Sequence, residues 1–150
     1  MSARKEHAYK VALRMAQVKE LRAQMALADA VDKEDAAKRK VETVEAARDQ
    51  VFLASQACMV DGRNVDLARY ELLSHLSFAL TDSLQRASGE LEQVSGERMG
   101  KASENVLAKR HRERVHEHLD EVRLSLGHSR AAKAQEEGVE LWLESRGETP

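Results

Sequence analysis

The chain has very little proline, which would interrupt a helix, and few aromatic residues, which would fill a compact core. Its 150 residues include one proline, Pro150, and aromatic residues make up only 3% of the total. Nothing in the body of the chain is therefore obliged to break a helix, and few large side chains are present to fill a globular interior. Charged residues reach 33%, and this composition is typical of long helices or coiled coils.

Cysteine and long apolar runs are also scarce. The single Cys58 excludes an internal disulfide and a cysteine-rich zinc site. No apolar run approaches the ~20 residues of a membrane span, and the start, MSARKEHAYK, lacks the apolar core of a secretory signal. We therefore expect a cytoplasmic protein without direct membrane insertion.

The charge is nearly balanced but unevenly distributed. The formal net charge is −2, which gives no overall attraction to nucleic acid or acidic membranes. Residues 1–40 carry 10 basic and 6 acidic side chains, whereas residues 41–109 carry 7 and 11. The amino-terminal segment is therefore basic against a mildly acidic remainder.

The first part of the chain has a helical pattern, which predicts a helix over residues 3–58. Between Asp29 and Lys40 the apolar stripe fades, and such a gap predicts a shift in its phase, as a stutter gives in a coiled coil. The apolar residues that recur at three- and four-residue steps are Val11, Met15, Val18, Leu21, Met25 and Ala28, and then Val41, Val44, Ala47, Val51 and Ala54.

A turn is predicted at residues 59–66, where VDGRNVD contains an Asp-Gly pair and Asn64. A second helix is predicted over 67–145, with Val115, Leu119, Val122 and Leu126 on one stripe. Its weak part is residues 89–100, because three glycines there each cost about 1 kcal/mol relative to alanine. We expect a bend, break or mobile segment at that point.

The pattern as a whole predicts an all-α fold: two long helices in an antiparallel coiled-coil hairpin, forming a single domain over residues 1–150. A narrow apolar stripe must pack on something in water, and the shortest solution is for the second helix to fold back on the first.

The stretch KRHRERVHEHLDEVR, residues 109–123, concentrates histidines and charges. Two metal-binding histidines on a helix need a spacing of three or four residues, but His111, His116 and His118 are separated by five and two. The sequence favours a solvated helix face over a metal site, with Val115, Leu119 and Val122 on the buried side.

Nucleic-acid binding and catalysis find little support. The basic runs at 36–40 and 109–114 are neutralised by neighbouring carboxylates and lack interleaved aromatic residues for stacking. There is no glycine-rich phosphate loop and no nucleophile elbow, so we expect a non-enzymatic protein that has no cofactor and does not bind nucleic acid.

A cluster of large apolar residues surrounds the turn. Leu72, Leu76, Leu80 and Leu84 fall on one helical stripe, while other members of the cluster lie off it. One interpretation is an exposed partner-binding site; the other is a core covered by a short extra helix, and the sequence leaves both open. The candidate residues are Phe52, Tyr70, Leu73, Leu76 and Phe78.

The segment GVELWLESRGETP makes the end of the second helix apolar over a wide arc. Trp142 either packs on the first helix near Tyr9 or anchors in another protein. In a hairpin the two chain ends would lie side by side, which places the basic SARKEHAYK beside this segment.

Length, scarce aromatics, two long charged helices and the segment RERVHEHLDEVRLSLGHSRAAKAQEEGVELWLESR together resemble the YscO/FliJ family, with the non-flagellar branch closer. These are the central-stalk proteins of type III secretion and flagellar export. The resemblance covers the whole length in architecture and is strongest in residues 112–146.

The resemblance implies a helical hairpin that binds a hexameric secretion ATPase, links it to the export gate protein and, in several members, binds export chaperones. It implies a place at the inner membrane, peripheral to the secretion apparatus. The turn-end cluster would face the gate or chaperones. The residues that would contact the ATPase are Arg4, Lys5, Lys10 and Arg14, with Trp142 and Arg146 opposite.

A rival interpretation is a generic coiled-coil scaffold or chaperone-like adaptor without an ATPase partner. Neighbouring genes for a secretion ATPase and a gate protein would favour the stalk.

Overall fold

The computed structural model describes residues 2–60 and 67–147. Two helices, α1 (Ser2–Val60) and α2 (Leu67–Gly147), pack against each other as a helical hairpin. The all-α fold is confirmed, and the predicted helices at 3–58 and 67–145 end within two residues of the observed ones. Of the predicted turn, residues 61–66 lie outside the described part of the chain.

The chain divides into two compact units, each built from one segment of α1 and one of α2. Unit 1 comprises Met1–Ala23 and Asn105–Pro150, and unit 2 comprises Gln24–Glu104.

In unit 1 the helices meet along positions spaced three and four residues apart, the spacing of a coiled-coil seam. Leu119 is 1% exposed and Ala16 is 2% exposed. Glu6 pairs with Arg123 at 3.7 Å and Glu20 with Arg112, so the segments run antiparallel. Burying Leu119 removes apolar surface worth roughly 2–3 kcal/mol from water. The partly or fully buried residues are Glu6, Tyr9, Ala12, Leu13, Ala16, Glu20 and Ala23 on α1, and Asn105, Ala108, Arg112, Val115, Leu119, Val122 and Leu126 on α2.

Unit 2 repeats this arrangement. Lys40 pairs with Glu90 at 3.1 Å and Glu34 with Arg98 at 2.5 Å, which again makes the segments antiparallel. Most seam side chains of α1 here are alanines and valines, which leave a narrow seam between the helices. The partly or fully buried positions include Leu27, Ala30, Glu34, Ala37, Val41, Val44 and Val51 on α1, and Tyr70, Leu73, Ser77, Leu80, Leu84, Ala87, Leu91, Val94 and Arg98 on α2.

The predicted apolar stripe of the first half of α1 is wrong. Val11, Met15, Val18, Leu21 and Met25 are 42–69% exposed, and Ala28 is exposed too. The seam uses Leu13, Ala16, Ala23, Leu27 and Ala30 instead. Since two residues along a helix correspond to a rotation of about 200°, positions 11, 18 and 25 lie on the side of α1 opposite α2. The remaining series, Val41 to Ala54, is partly or fully buried as predicted.

The predicted phase shift between Asp29 and Lys40 is also wrong. Buried positions of α1 keep the same three- and four-residue spacing through Ala30, Glu34, Ala37 and Val41. Small alanines and one ion-paired glutamate continue the seam where large apolar residues are missing.

The leucine stripe predicted near the start of α2 is partly wrong. Leu72 and Leu76 are exposed, whereas Tyr70 and Leu73 are half-buried and share the seam with Leu80 and Leu84.

Helix α2 continues through residues 89–100 without interruption, so the break predicted there is not present. Leu91, Val94 and Arg98 are partly buried within unit 2. Packing of these side chains offsets the low helix propensity of the glycines.

Candidate functional site

The first candidate surface lies in unit 1, along the basic start of α1. Segment 2–23 carries six basic residues and two acidic ones, Glu6 and Glu20. Both carboxylates pair with arginines of α2, Glu6 with Arg123 and Glu20 with Arg112. Glu6 also pairs with Lys10, and within the described residues the other five cations of this segment form no ion pair.

The environment of Glu6 follows from these contacts. Lys10 lies 3.2 Å from its carboxylate, and this hydrogen bond is the main reason that the pKa of Glu6 falls below its ordinary value of 4.5, with Arg123 and Arg130 adding smaller contributions. Of the predicted ATPase-contacting residues, Arg4, Lys5, Lys10 and Arg14 are all exposed, and Lys10 also pairs with Glu6 within α1.

Lys5 and Tyr9 lie beside α2 residues 118–126. They line an open groove with His118, Glu121, Val122, Ser125 and Leu126. The ring of Tyr9 stands 6.0 Å from that of His118, tilted by 31°, and His118 Nδ1 lies 3.4 Å from Glu121.

Residues 127–147 of α2, which we call the free end of α2, are all exposed. The Arg146 guanidinium lies 5.0 Å from the centre of the Trp142 ring, a cation–π distance, and Trp142 is 55% exposed. At 1.5 Å per residue, Trp142 is about 24 Å along the helix from Leu126. The start of α1 lies beside residues 118–126, and Tyr9 is with His118.

The alternative that Trp142 packs near Tyr9 is therefore wrong, because Tyr9 lies at His118, 24 residues before Trp142 on α2. The structure places Arg4, Lys5, Lys10 and Arg14 on one segment of unit 1. It brings Trp142 and Arg146 together on another segment, the free end of α2.

The second candidate surface lies in unit 2, beside the turn. Phe52, Tyr70 and Phe78 line one open groove together with Met59 and Ser74. Phe78 is 79% exposed and Phe52 is 60% exposed, whereas Tyr70 and Leu73 are half-buried. Leu76 is exposed but does not line the groove. Of the two interpretations left open, a covering helix is not found within residues 2–60 and 67–147.

The histidine-rich stretch of α2 forms a solvated face, as predicted. His111, His116 and His118 are exposed, while Val115 and Leu119 are buried and Val122 is half-buried. His116 Nδ1 pairs with Asp120 at 3.1 Å. Among the described residues no group of three or more metal-ligating side chains is close enough together to hold an ion.

The sequence pattern missed the outer face of α1, which we define as Val11, Met15, Val18 and Leu21 with the cations Arg14, Lys19 and Arg22. Most of these residues border a groove with Ala16 and His111. The sequence does contain a signal for this face. The outer apolar stripe of α1 stops at Asp29, whereas the stripe that packs on α2 continues along the helix, so comparing the lengths of the two stripes could have shown which one is the outer face.

No protein-family model, curated protein or solved structure matches this chain. Neither α1 nor α2, over the residues described, contains an apolar stretch long enough to span a bilayer.

Proposed function

We propose that this chain is a non-enzymatic central stalk and adaptor of a type III secretion ATPase complex. It would bind the hexameric ATPase through unit 1, link it to the export gate protein, and bind export chaperones. This places it in the cytoplasm, peripheral to the secretion apparatus at the inner membrane. The resemblance of residues 112–146 to the YscO/FliJ family is the basis of the proposal.

The observation that supports it best is the free end of α2. Every residue of this helical segment of 21 residues is exposed, and the Arg146 guanidinium lies over the Trp142 ring. Tryptophan and arginine are enriched among the residues that dominate binding energy at interfaces. A stalk needs such a contact, together with a basic surface such as Arg4, Lys5 and Arg14, to engage a protein ring.

The test is ATP hydrolysis by the cognate secretion ATPase with and without this protein, with the size of the ATPase measured in parallel. We expect faster turnover and hexamer formation. Trp142→Ala should abolish both effects, and Leu124→Ala, an equally accessible position on α2 (65% exposed), should keep them.

The groove of Phe52, Tyr70 and Phe78 favours a second candidate, an adaptor or scaffold without an ATPase partner. Exposed aromatic side chains in a groove are typical of a protein-binding site. An unchanged ATPase rate and size, combined with loss of secretion in Phe52→Ser/Phe78→Ser, would select this second function.

A further inference from the structure

The outer face of α1 is an apolar helix surface that no side chain within residues 2–60 and 67–147 covers. Val11, Met15 and Val18 recur at four and three residues and are 42%, 69% and 49% exposed, with Leu21 beside them at 56%. This is the spacing of a second coiled-coil seam. Val11 and Val18 lie on the side of α1 opposite α2. Met15 lies between that side and a groove that His111 of α2 borders, so the hairpin contact leaves all three exposed.

Cations border this stripe. Arg14, Lys19 and Arg22 are exposed on the same stretch of α1, and within the described residues none of the three forms an ion pair. The two carboxylates of the stretch, Glu6 and Glu20, are paired with Arg123 and Arg112. The outer face therefore needs a partner that is apolar in the centre and acidic at its edges.

The free end of α2 has that chemistry. Its segment EEGVELWLE, residues 136–144, contains four glutamates and no basic residue. Val139, Leu141, Trp142 and Leu143 in the same segment are 54–66% exposed. Helix α2 is already formed there as a continuation of a packed helix, so docking would not have to nucleate new helix.

We propose that the free end of α2 of one copy docks on the outer face of α1 of a second copy of this chain. The apolar side chains of residues 139–143 pack along Val11, Met15 and Val18. The glutamates of 136–144 lie near Arg14, Lys19 and Arg22. The opposite charges select the free end over the neutralised remainder of α2.

Both elements belong to unit 1 of each copy, so a twofold arrangement forms the contact twice. The free end of the first copy meets the outer face of the second, and the reverse contact follows from the symmetry. Two equivalent contacts close the assembly as a dimer. The inference goes beyond the proposed function and does not rest on it, although Trp142 takes part in both.

The test is sedimentation velocity of the full chain over a concentration series at low salt, where exposed charge pairs are least screened. The first variant reverses the outer face, Arg14→Glu/Lys19→Glu/Arg22→Glu. The second reverses the free end, Glu137→Lys/Glu140→Lys/Glu144→Lys. The matched control reverses three exposed carboxylates of unit 2, Glu42→Lys/Glu45→Lys/Asp49→Lys.

We expect the wild-type chain to dimerise, and each of the first two variants to raise the dissociation constant by at least about tenfold. An equimolar mixture of these two variants should dimerise again, because each acidic surface then meets a basic one. The unit 2 control should associate like the wild type.

Three results would overturn the proposal: a wild-type chain that stays monomeric throughout the series, association that both reversals leave unchanged, or a mixture that fails to restore the dimer. Circular dichroism of every variant is the control for retained helix content. Restoration in the mixture is itself evidence that both variants are folded.

Discussion

Arg98 of α2 donates its Nε hydrogen bond to the carboxylate of Glu34 on α1 at 2.5 Å, in the middle of the unit 2 seam. Glu34 is only 6% exposed, and Lys38 Nζ lies 3.1 Å from its other oxygen. The hydrogen bond from Arg98, followed by that from Lys38, holds the pKa of Glu34 below its ordinary value of 4.5. The carboxylate therefore stays ionised inside the seam.

The Glu34–Arg98 pair makes the stability of the folded chain depend on pH. Because the folded-state pKa of Glu34 is lowered, its contribution is fully present above pH 4.5 and is lost as the pH falls below 4.5 through the folded value. We expect the melting temperature to drop as the pH falls below 4.5, and Glu34→Gln to reduce that drop. Thermal unfolding followed by circular dichroism measures it, with Glu42→Gln on the exposed face as the control. An equal drop in both variants would contradict the role of Glu34.

Leu119 is the most deeply buried large side chain of unit 1, at 1% exposure. Leu119→Ala should lower the free energy of unfolding by about 2–4 kcal/mol, since it leaves a cavity between the helices. Leu107→Ala, at a position that is 63% exposed on α2, should change it by less than about 0.5 kcal/mol. Urea unfolding measures the loss in free energy of unfolding for each variant. Similar losses would show that Leu119 is not in the contact between the two helices.

The hairpin could be predicted from sequence, but the contacting face of α1 could not be read from hydrophobicity alone. Val11, Met15 and Val18 have the same three- and four-residue spacing as the seam positions, but the seam includes small and charged residues and so gives the weaker apolar signal. These seam positions are Leu13, Ala16, Glu20 and Ala23. Only continuity separates the two stripes. The seam stripe continues in phase to Val41 and beyond, whereas the outer stripe of larger residues ends at Asp29.

Met15 and Ala16 are adjacent in sequence and test this assignment directly. Ala16 is 2% exposed in the seam and Met15 is 69% exposed. Ala16→Leu should cost about 1–3 kcal/mol, because a larger side chain overpacks the narrow seam. Met15→Ala should stay within about 0.5 kcal/mol in the monomer. Chemical denaturation at low protein concentration measures the free energy of unfolding of both variants. A larger loss in Met15→Ala than in Ala16→Leu would show that Met15, and not Ala16, packs on α2.

The glycines of α2 illustrate how packing overrides local preference. Gly89, Gly96 and Gly100 predicted a break, yet the helix is continuous, and a methyl group added at each would meet nothing within 4 Å. Propensity describes an isolated helix, whereas Leu91 and Val94 between these glycines are held by the seam.

Gly96→Ala should therefore stabilise the chain by about 1 kcal/mol, with no steric cost. Gly89→Ala and Gly100→Ala should each do the same. Thermal unfolding of the single and triple variants measures the gain. Gly96→Pro is the contrasting variant, and it should cost about 3 kcal/mol or more because it removes a helix hydrogen bond. A loss of stability in Gly96→Ala would show that the backbone departs from helical geometry there.

The contacts of Trp142 could not be predicted from the sequence pattern. Its apolar neighbours predicted a contact without identifying the partner, and the hairpin geometry placed it near Tyr9. The overhang of α2 beyond the start of α1 depends on helix lengths and on the register of the two helices. Contacts such as Glu6 with Arg123 at 3.7 Å show that register, and their partners are far apart in sequence.

Asn105 provides the last prediction. It occupies a seam position of α2, and its Oδ1 is buried without a hydrogen-bond partner among the described residues. A buried, unpaired acceptor costs about 1–3 kcal/mol, so Asn105→Leu should raise the free energy of unfolding by a similar amount. Asn105→Ala removes the same acceptor without adding a large apolar side chain, and should cost less than an ordinary truncation in the seam.

A polar residue at such a position also fixes helix register at the expense of stability. Urea unfolding of Asn105→Leu should therefore be accompanied by sedimentation, which detects a change in its oligomeric state. Destabilisation by more than about 1 kcal/mol in both variants would mean that the amide of Asn105 is hydrogen-bonded in the folded protein.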